Sequence, residues 1–330
     1  MRWDALALVD VRDERPAIER RSSVRRADGV TFYETRARAA IERMPAGTGL
    51  PQRWAVSPYR GCAHACLHCG ARGGHRRLGL DAGAGFAAQI VVRYDIAARL
   101  RAELPGHLAR GGGELAIGVG GDCYQPAEER YRLMPGVLAA LADVGAPFVL
   151  YTRSPLVLED GEALREAARA CGGRVAVSVA FVDEQVRRVA EPGAPSAQRR
   201  LELLAALVEA GVPCEAVMGP ILPLLTDSPD QLAATVRRIA ATGAAAVTPL
   251  VLRLPPGARE TYLEWVARAH PALAARHAEL YDRSGRPSPA YVGRTVEQVA
   301  ALARAYGLAC GPGAPAPKAA GPRYGQLELL

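Results

Sequence analysis

The chain has 330 residues, of which 49% are apolar and 5% aromatic, and its formal net charge is +7. This length suits one large domain with appendages, and no stretch approaches the ~20 consecutive apolar residues of a membrane-spanning helix. The basic balance alone does not indicate nucleic acid. Of the 41 basic residues only Lys318 is a lysine, and asparagine is absent, a bias typical of a GC-rich genome that creates no binding face.

The seven cysteines are odd in number and do not form a disulfide framework. Cys62, Cys66 and Cys69 are clustered, and the other four are scattered singly along the chain. The first ten residues, "MRWDALALVD", contain acidic side chains where a signal peptide needs a hydrophobic run. We therefore expect a cytoplasmic protein without membrane contact, whose clustered thiols serve metal binding or catalysis.

Residues 1–50 are expected to form an N-terminal extension, in which 20–29 is a loop and the apolar spacing at 31–44 predicts a helix. Further along, short valine-rich runs alternate with amphipathic segments. Strands are predicted at 53–59, 114–121, 147–153, 174–181, 212–221 and 245–254. Helices are predicted at 95–104, with Asp95 as N-cap, and at 131–145, 162–171, 197–211 and 228–243.

Six β–α units in succession predict an α/β fold with parallel strands and right-handed crossovers. Periodicity fits either an open doubly wound sheet or a barrel with six of the usual eight units. Polar clusters directly follow the first four predicted strands, and the catalytic residues of a barrel lie at these C-terminal strand ends. We therefore predict a partial (β/α)6 TIM barrel over 51–255, with N- and C-terminal helical extensions. The C-terminal segment, 256–330, is expected to end in a flexible tail at 309–322.

The stretch "RGCAHACLHC", residues 60–69, spaces its cysteines as C-x3-C-x2-C. Thiolates favour zinc and iron–sulfur clusters. A structural zinc needs four ligands, and His64 or His68 could complete such a set. Both histidines lie inside the cysteine loop, however, so one short loop would have to occupy all four corners. A cubane cluster on three cysteines instead leaves one iron open to an outside ligand, as a catalytic site requires.

This spacing, combined with the barrel pattern, resembles the radical S-adenosylmethionine (radical SAM) superfamily. A narrower resemblance, to an actinobacterial branch of the spore photoproduct lyase-like (SPL-like) enzymes, runs from 28–45 through 263–281. It is carried by "SPYRGCAHACLHCGAR", "GDCYQPAEERYRLMPG", "YTRSPLVLED", "AEPGAPSAQRRLELL" and "MGPILPLLTDS". The resemblance implies a [4Fe–4S] cluster on Cys62, Cys66 and Cys69. S-adenosylmethionine on its open iron would be cleaved to a 5′-deoxyadenosyl radical, which abstracts hydrogen from a substrate.

The resemblance also implies roles for residues around the mouth of the barrel. The cofactor-binding candidates are His68, Asp122, Gln125, Arg153, Ser154, Ser178, Glu191 and Arg200, and the catalytic candidates are Cys123 and Tyr124. Asp122, Tyr124 and Gln125 follow the second barrel strand, where the superfamily contacts the methionine amino group. Arg153 and Ser154 follow the third strand and would bind the methionine carboxylate, an anion that an arginine fork suits.

The remaining candidates are expected on the side of the adenine and ribose. His68 precedes the last cysteine and would stack on the adenine or hydrogen-bond to it. Ser178 and Glu191 would reach the ribose or order the site, and Arg199 or Arg200 would pair with Glu191. An ordinary ion pair that fixes a loop is the alternative interpretation of the Glu191–Arg200 pair.

Two departures from the branch bear on mechanism. Gly70, where the branch usually has an aromatic residue, and the pair at 73–74 are expected to open or loosen the cysteine loop. Spore photoproduct lyase returns hydrogen to its product radical from a cysteine that precedes the aspartate after the second strand. Cys123 follows Asp122, so strand alternation would point it differently, and it stays only a candidate donor.

Three function classes remain open from the sequence. We favour a radical enzyme that acts on a peptide or small-molecule substrate, served by an electron donor such as flavodoxin or ferredoxin. Repair or modification of nucleic acid is the second class, and it would need a basic groove and a base-sized pocket. The third is a non-enzymatic, zinc-binding barrel.

Overall fold

The structure is a computed structural model that describes residues 29–44 and 48–312. Its strands are β1 (Thr31–Thr35), β2 (Ile41–Arg43), β3 (Trp54–Val56), β4 (Tyr59–Arg60), β5 (Gln89–Arg93), β6 (Leu115–Ile117), β7 (Phe148–Thr152), β8 (Arg174–Ser178), β9 (Cys214–Ile221), β10 (Ala246–Val251) and β11 (Ala309–Cys310). Its helices are α1 (Arg72–Arg77), α2 (Gly85–Ala88), α3 (Ile96–Ala109), α4 (Ala127–Tyr131), α5 (Met134–Ala142), α6 (Gly161–Cys171), α7 (Glu184–Ala190), α8 (Ala197–Glu209), α9 (Pro229–Ala240), α10 (Ala258–Ala269), α11 (Pro271–Leu280) and α12 (Pro289–Ala305). A 3-10 helix covers Pro155–Asp160.

Eight strands form one sheet in the order β11-β10-β9-β8-β7-β6-β3-β2. Neighbouring strands run parallel, except that β2 is antiparallel to β3. The six predicted barrel strands correspond to β3 and to β6 through β10. The predicted partial (β/α)6 barrel is therefore confirmed, and within the described residues β2 and β11 form its two unjoined edges.

The two faces of this sheet have different surroundings, because successive residues of a strand point to opposite faces. The outer face packs against the helices in the main hydrophobic core, to which Ile117, Leu150 and Val177 contribute fully buried side chains. The inner face carries small apolar side chains at mid-strand, namely Ala55, Ala116, Val149, Ala176 and Val217. The inside of the barrel is therefore apolar at this level.

A polar layer closes the inner face near the N-terminal ends of the strands, and we call it the barrel floor: Gln52, Glu114, Arg174, Glu215 and Thr248. Arg174 donates from Nε to Glu215 Oε1 at 3.1 Å and from Nη1 to Glu114 Oε1. Gln52 Nε2 donates to the other oxygen of Glu114 at 2.6 Å, and Thr248 Oγ1 donates to the other oxygen of Glu215 at 3.1 Å. One guanidinium thus lies between two carboxylates in a fully bonded network.

The prediction of a helix at 31–44 is wrong. These residues form β1, which pairs with β5 in a small sheet of order β1-β5-β4, and β2, which pairs with β3. Main-chain pairing with distant strands outweighs the local helical spacing, as tertiary context commonly does. The predicted loop at 20–29 lies outside the described residues, apart from its last residue. The strand β11 lies at the start of the segment that was predicted to be a flexible tail. The rest of that segment, beyond residue 312, lies outside the described residues.

Asp95 occupies the predicted N-cap position of α3 but makes a different hydrogen bond. Its Oδ1 accepts from the Ala37 N–H at 2.7 Å, and its side chain makes no bond to the first turn of α3. The carboxylate therefore ties α3 to the segment between β1 and β2.

The predicted C-terminal helices are present as α10, α11 and α12. The helices α10 and α11 form a second hydrophobic cluster with residues that follow β8, β9 and β10, among them Phe181, Leu222 and Leu254. The half-buried Leu67 of the cysteine loop packs against this cluster. The helix α12 returns to pack on α9 and β10. Among the described helices, none combines the length and apolar character needed to cross a bilayer.

Candidate active site

The three clustered cysteines lie in the loop between β4 and α1, at the C-terminal end of the barrel. Cys62 and Cys66 are each 6% exposed, Cys69 is half-buried, and none forms a disulfide. Burial raises the pKa of all three thiols, that of Cys66 to about 12. The thiols are therefore neutral at physiological pH until a metal displaces their protons.

Gln125 supports the cysteine loop from the strand side. It is fully buried, its Nε2 donates to Gly61 O at 3.0 Å, and its Oε1 accepts from the Ala63 N–H at 3.0 Å. Both ends of the amide are thus occupied by the main chain of the loop. A contact between Gln125 and a methionine amino group stays a prediction, and these bonds favour a supporting role.

The turn after α7 supports the loop from the opposite side. The Leu67 N–H donates to Ala190 O at 2.9 Å, and the Gly193 N–H donates to His64 O at 3.1 Å. A Cβ at position 193 would overlap Ala63 O, so glycine is needed for this close approach. The same turn carries Glu191 directly beneath the cysteines.

The glycines after the last cysteine do not leave this part of the loop open. A Cβ on Gly73 would lie 2.6 Å from Pro256 O, and one on Gly257 would lie 2.8 Å from the Gly73 nitrogen. A Cβ on Gly70 would be in ordinary contact with Pro255, at 3.4 Å. The prediction that these glycines loosen the cysteine loop is wrong for Gly73. Its missing side chain lets the segment between β10 and α10 dock against α1.

Glu191 is the centre of a charged network beside Cys66. Its fully buried carboxylate accepts from Arg153 Nη1 at 2.7 Å and from Arg200 Nη2, and it lies 3.2 Å from His68 Nε2. Burial raises the pKa of Glu191, but Arg200 and Arg153 outweigh burial and hold the pKa well below its usual range. The predicted Glu191–Arg200 pair is present. Two guanidinium groups share one carboxylate, which leaves a surplus of positive charge.

Arg153 also contacts a predicted metal ligand. Its Nη1 lies 3.2 Å from Cys66 Sγ, in hydrogen-bond geometry. His68 is buried, and burial lowers its pKa, which the hydrogen bond to Glu191 opposes. His68 therefore acts here as a neutral partner of Glu191, and stacking on an adenine stays a prediction.

Asp122 is held in a fixed orientation after β6. Its Oδ1 accepts from Thr152 Oγ1 at 2.7 Å and from the Tyr124 N–H at 2.9 Å, and its Oδ2 accepts from the Arg153 N–H at 2.9 Å. His64 Nδ1 lies 3.5 Å from Asp122 Oδ2 and has no hydrogen-bond partner although it is buried. This unpaired buried nitrogen is free to bond a polar group of a ligand bound beside Asp122.

The two predicted serines make structural bonds. Ser154 Oγ accepts from the Leu156 N–H at 3.3 Å and caps the 3-10 helix. Ser178 Oγ donates to Gly219 O at 3.0 Å, across to β9. Contacts of either serine with a cosubstrate stay predictions.

The two catalytic candidates are buried away from solvent. Cys123 is 0% exposed and belongs to the main hydrophobic core. Tyr124 is also 0% exposed, and its hydroxyl donates to Asp160 Oδ2 at 2.9 Å. A hydrogen donor must reach the substrate radical, so these positions favour structural roles. A catalytic role for either residue stays a prediction.

The spacing of the sulfurs distinguishes a cluster from a single zinc ion. Ligands bound to one tetrahedral zinc through bonds of about 2.3 Å lie about 3.8 Å apart. Among the described residues, the one group of three or more ligand atoms within 4.8 Å of one another is Cys66, His68 and Glu191. The three cysteine sulfurs do not form such a group, and Glu191 is already bonded to two arginines. This arrangement favours a cluster, which offers a separate iron to each sulfur.

The comparison with protein families agrees with this site. The model of the radical SAM superfamily matches residues 56–239, which include the three cysteines and the four barrel strands β6 to β9. The chain belongs to the radical SAM superfamily. It is therefore a radical SAM enzyme, and membership implies a [4Fe–4S] cluster and S-adenosylmethionine as its cofactors.

Mycobacterial relatives of this radical SAM chain support the predicted actinobacterial branch, and more distant relatives occur outside it. An uncharacterized protein of Mycobacterium tuberculosis is 41% identical over 290 residues, which cover 88% of this chain and 85% of the relative. An uncharacterized protein of Methanocaldococcus jannaschii is 24% identical over 175 residues, 53% of this chain and 62% of the relative.

Among solved structures, spore photoproduct lyase complexed with dinucleoside spore photoproduct is similar, with a TM-score of 0.64 and 15% identity. The match covers 85% of this chain and 81% of that one. At this identity the likeness concerns the fold, and it confirms the predicted SPL-like fold of this radical SAM enzyme.

Three residues of the site were not assigned these roles from the sequence: His64, Thr152 and Arg72. The sequence offers His64 only as a candidate zinc ligand. Thr152 orients Asp122, and Arg72 binds the cysteine loop. The position of Thr152 at the end of a barrel strand was a usable signal, whereas the contacts of Arg72 depend on how the loop folds back.

Proposed function

We propose that this radical SAM enzyme holds its cluster on Cys62, Cys66 and Cys69 and abstracts hydrogen from an apolar part of a peptide or a small molecule. When bound, the cluster supplies the electron that cleaves S-adenosylmethionine, and the cosubstrate supplies the 5′-deoxyadenosyl radical. The protein residues bind and orient the cosubstrate and exclude water.

The methionine carboxylate is best accommodated by Arg153. Its guanidinium lies beside Cys66, and together with Arg200 it shares only one carboxylate, so the pair retains positive charge for a further anion. A planar guanidinium binds a carboxylate through two parallel hydrogen bonds. In this assignment Glu191 and Arg200 are positioning residues that hold Arg153 in place.

The methionine amino group is best accommodated near Asp122 and His64. Asp122 Oδ2 has one main-chain donor, from Arg153, and Oδ1 has two donors. The unpaired Nδ1 of His64 lies close to the same carboxylate. With the His64 proton on Nε2, an amino group placed here would find acceptors on both side chains, because neutral histidine carries one acceptor nitrogen.

The observation that carries the substrate assignment is the apolar inner face of the barrel. Small apolar residues, with the larger Tyr151 and Leu250 packed against them, line it between the barrel floor and the cysteines. The arginines nearest the cysteines are turned inward: Arg200 is 2% exposed, and the Arg153 side chain is 17% exposed. A nucleic-acid substrate would instead need arginines free to contact phosphates along a groove.

The test uses protein purified and reconstituted without oxygen. Iron and sulfide are counted, and 5′-deoxyadenosine is assayed after addition of dithionite and S-adenosylmethionine, then with flavodoxin or ferredoxin as electron donor. We expect about four irons per chain and 5′-deoxyadenosine above the cluster-free control. One zinc without sulfide would sink the proposal.

The substrate class is tested by stimulation of the same reaction. Peptide pools, metabolite pools and oligonucleotides are added in parallel, and 5′-deoxyadenosine is measured together with transfer of deuterium from labelled substrates. We expect stimulation and transfer with peptides or metabolites. Stimulation by oligonucleotides alone would replace this substrate class with nucleic acid.

A further inference from the structure

Arg72 is a buried cation beside the cysteine loop. It is the first residue of α1 and is 3% exposed. On one side, Nε donates to Cys66 O at 3.0 Å and Nη2 donates to Ala65 O at 3.1 Å. On the other side, Nη1 donates to Ala82 O at 2.6 Å and to Gly83 O at 2.8 Å. Four carbonyl oxygens accept four of the five N–H groups of the guanidinium but leave its charge unbalanced.

Across the described ranges 29–44 and 48–312, no carboxylate forms an ion pair with Arg72 within 4.0 Å. Asp81 acts on its charge but is exposed, and its carboxylate accepts from the Gly83 and Gly85 N–H groups. A buried charge is ordinarily paired, because removing it from water is costly. Within the described residues, Arg72 is therefore a buried cation with no carboxylate paired to it.

The groups that surround Arg72 indicate its counter-anion. The Phe86 ring lies 4.7 Å from the guanidinium carbon, and the main-chain carbonyls are neutral. Arg72 is bonded to the main chain of two cysteines, from Nε to Cys66 O and from its own main-chain N–H to Cys69 O at 3.2 Å, and the sulfurs of these cysteines can become negative. They become thiolates when they bind iron, since the thiolate is the form that binds metal.

We propose that Arg72 is a built-in counter-charge of the cluster, in addition to Arg153, and a positioning residue of its loop. Its charge stabilises the reduced cluster, which is the more negative state, and its four carbonyl contacts fix the loop. This inference rests on the cluster assignment made under the proposed function. It adds a determinant of the reduction potential that lies in the protein around the cluster and not among its ligands.

The decisive measurement is the reduction potential of the loaded protein, by a titration followed with electron paramagnetic resonance. Arg72→Gln removes the charge. Arg72→Lys keeps the charge but loses the planar set of N–H donors that bonds the four carbonyls. Arg76→Gln is the control, because it removes an exposed charge from the same helix. We expect Arg72→Gln to lower the equilibrium constant for reduction about tenfold, which is 59 mV for one electron. Arg72→Lys should stay close to wild type, and Arg76→Gln should be unchanged.

A second readout compares the melting temperatures of the loaded and cluster-free proteins. The difference between them should shrink in Arg72→Gln, because the charge has a partner only when the cluster is bound. If Arg72→Gln retains no cluster, the melting temperature of its cluster-free form decides between the two roles. Melting close to that of cluster-free wild type supports the proposal, and loss of the fold shows that Arg72 is only a structural clamp.

A reduction potential in Arg72→Gln equal to that of wild type would overturn the counter-charge. Failure of the proposed function gives a different result, since wild type itself would then hold no iron or sulfide. The two failures are therefore distinguishable in one set of preparations.

Discussion

The two ends of the barrel both place arginine against glutamate, but in opposite ratios. At the barrel floor one guanidinium, that of Arg174, lies between Glu114 and Glu215. At the cysteine end two guanidinium groups, those of Arg153 and Arg200, share Glu191. The barrel floor is a closed network that only holds strands together. Around Glu191 the guanidinium groups outnumber the carboxylate, and this excess of positive charge favours the proposed binding of an anion.

The largest effect is expected from the cysteines themselves. Replacing Cys62, Cys66 or Cys69 by serine removes a ligand from an already incomplete set, so iron content and 5′-deoxyadenosine formation should fall to background. Cys171→Ser, at the end of α6, is the matched control and should keep both. A Cys66→Ser protein that still forms 5′-deoxyadenosine would contradict the ligand assignment.

Next in size is Glu191→Gln, which leaves two buried guanidinium groups without a carboxylate. We expect the free energy of unfolding to fall by about 3–5 kcal/mol, measured by denaturant titration. Glu184→Gln, whose carboxylate pairs with Arg187 nearer the surface, should cost about 1 kcal/mol or less. Equal losses of unfolding free energy in the two variants would mean that the buried Glu191 network contributes no more stability than a surface ion pair.

The same residue predicts an acid dependence. Because the pKa of Glu191 is depressed in the folded protein, its stabilising contribution is complete above the unfolded pKa of about 4.3. It is lost as the pH falls from there toward the folded pKa. Wild type should therefore lose stability more steeply than Glu191→Gln below about pH 4, as measured by melting temperature against pH.

At the barrel floor, Arg174→Met leaves two carboxylates facing each other. The expected loss is about 2 kcal/mol of unfolding free energy, below the fully buried range because Glu114 is 27% exposed. Iron content and 5′-deoxyadenosine formation per folded molecule should not change. A selective loss of activity would break the distinction between the two ends.

A smaller effect is expected where the segment after β10 docks on α1. Gly73→Ala places a Cβ 2.6 Å from Pro256 O, so the docked segment must shift, at a cost of about 1–2 kcal/mol. Gly70→Ala makes only an ordinary contact with Pro255 and is the control. Equal melting temperatures for the two variants would show that the docking is loose.

The smallest effect is expected for Cys123→Ala. It removes one sulfur from the main core, at about 1 kcal/mol, and should leave 5′-deoxyadenosine formation unchanged. Once a substrate is known, product analysis tests the hydrogen donor. Loss of product with intact 5′-deoxyadenosine formation would support the catalytic role predicted for Cys123.

The features that could be predicted from the sequence are those that depend on local pattern. The six barrel strands and the cysteine spacing follow from alternation and motif, and the Glu191–Arg200 pair from a resemblance. The sequence did not predict β1, β2 or β5, because these short strands gain their stability from pairing partners distant in sequence. The helical spacing at 31–44 was a local signal that this pairing overrode.

Side-chain direction was the second limit. Gln125 and Tyr124 come from the correct loop, yet one bonds to the main chain under the cysteines and the other to Asp160. The sequence likewise could not show that Gly73 receives a neighbouring segment, since close approach between two loops depends on the whole fold.

The contact of Leu67 with the second hydrophobic cluster has a dynamic consequence. Its side chain lies against the cluster that α10 and α11 complete, while its N–H is bonded to Ala190 O. Local opening of those helices would release this amide, so Leu67 should exchange hydrogen for deuterium together with α10 and α11. The cysteine loop would then open as part of that unit, and access to the cluster would be set by helices nearly two hundred residues further along the chain.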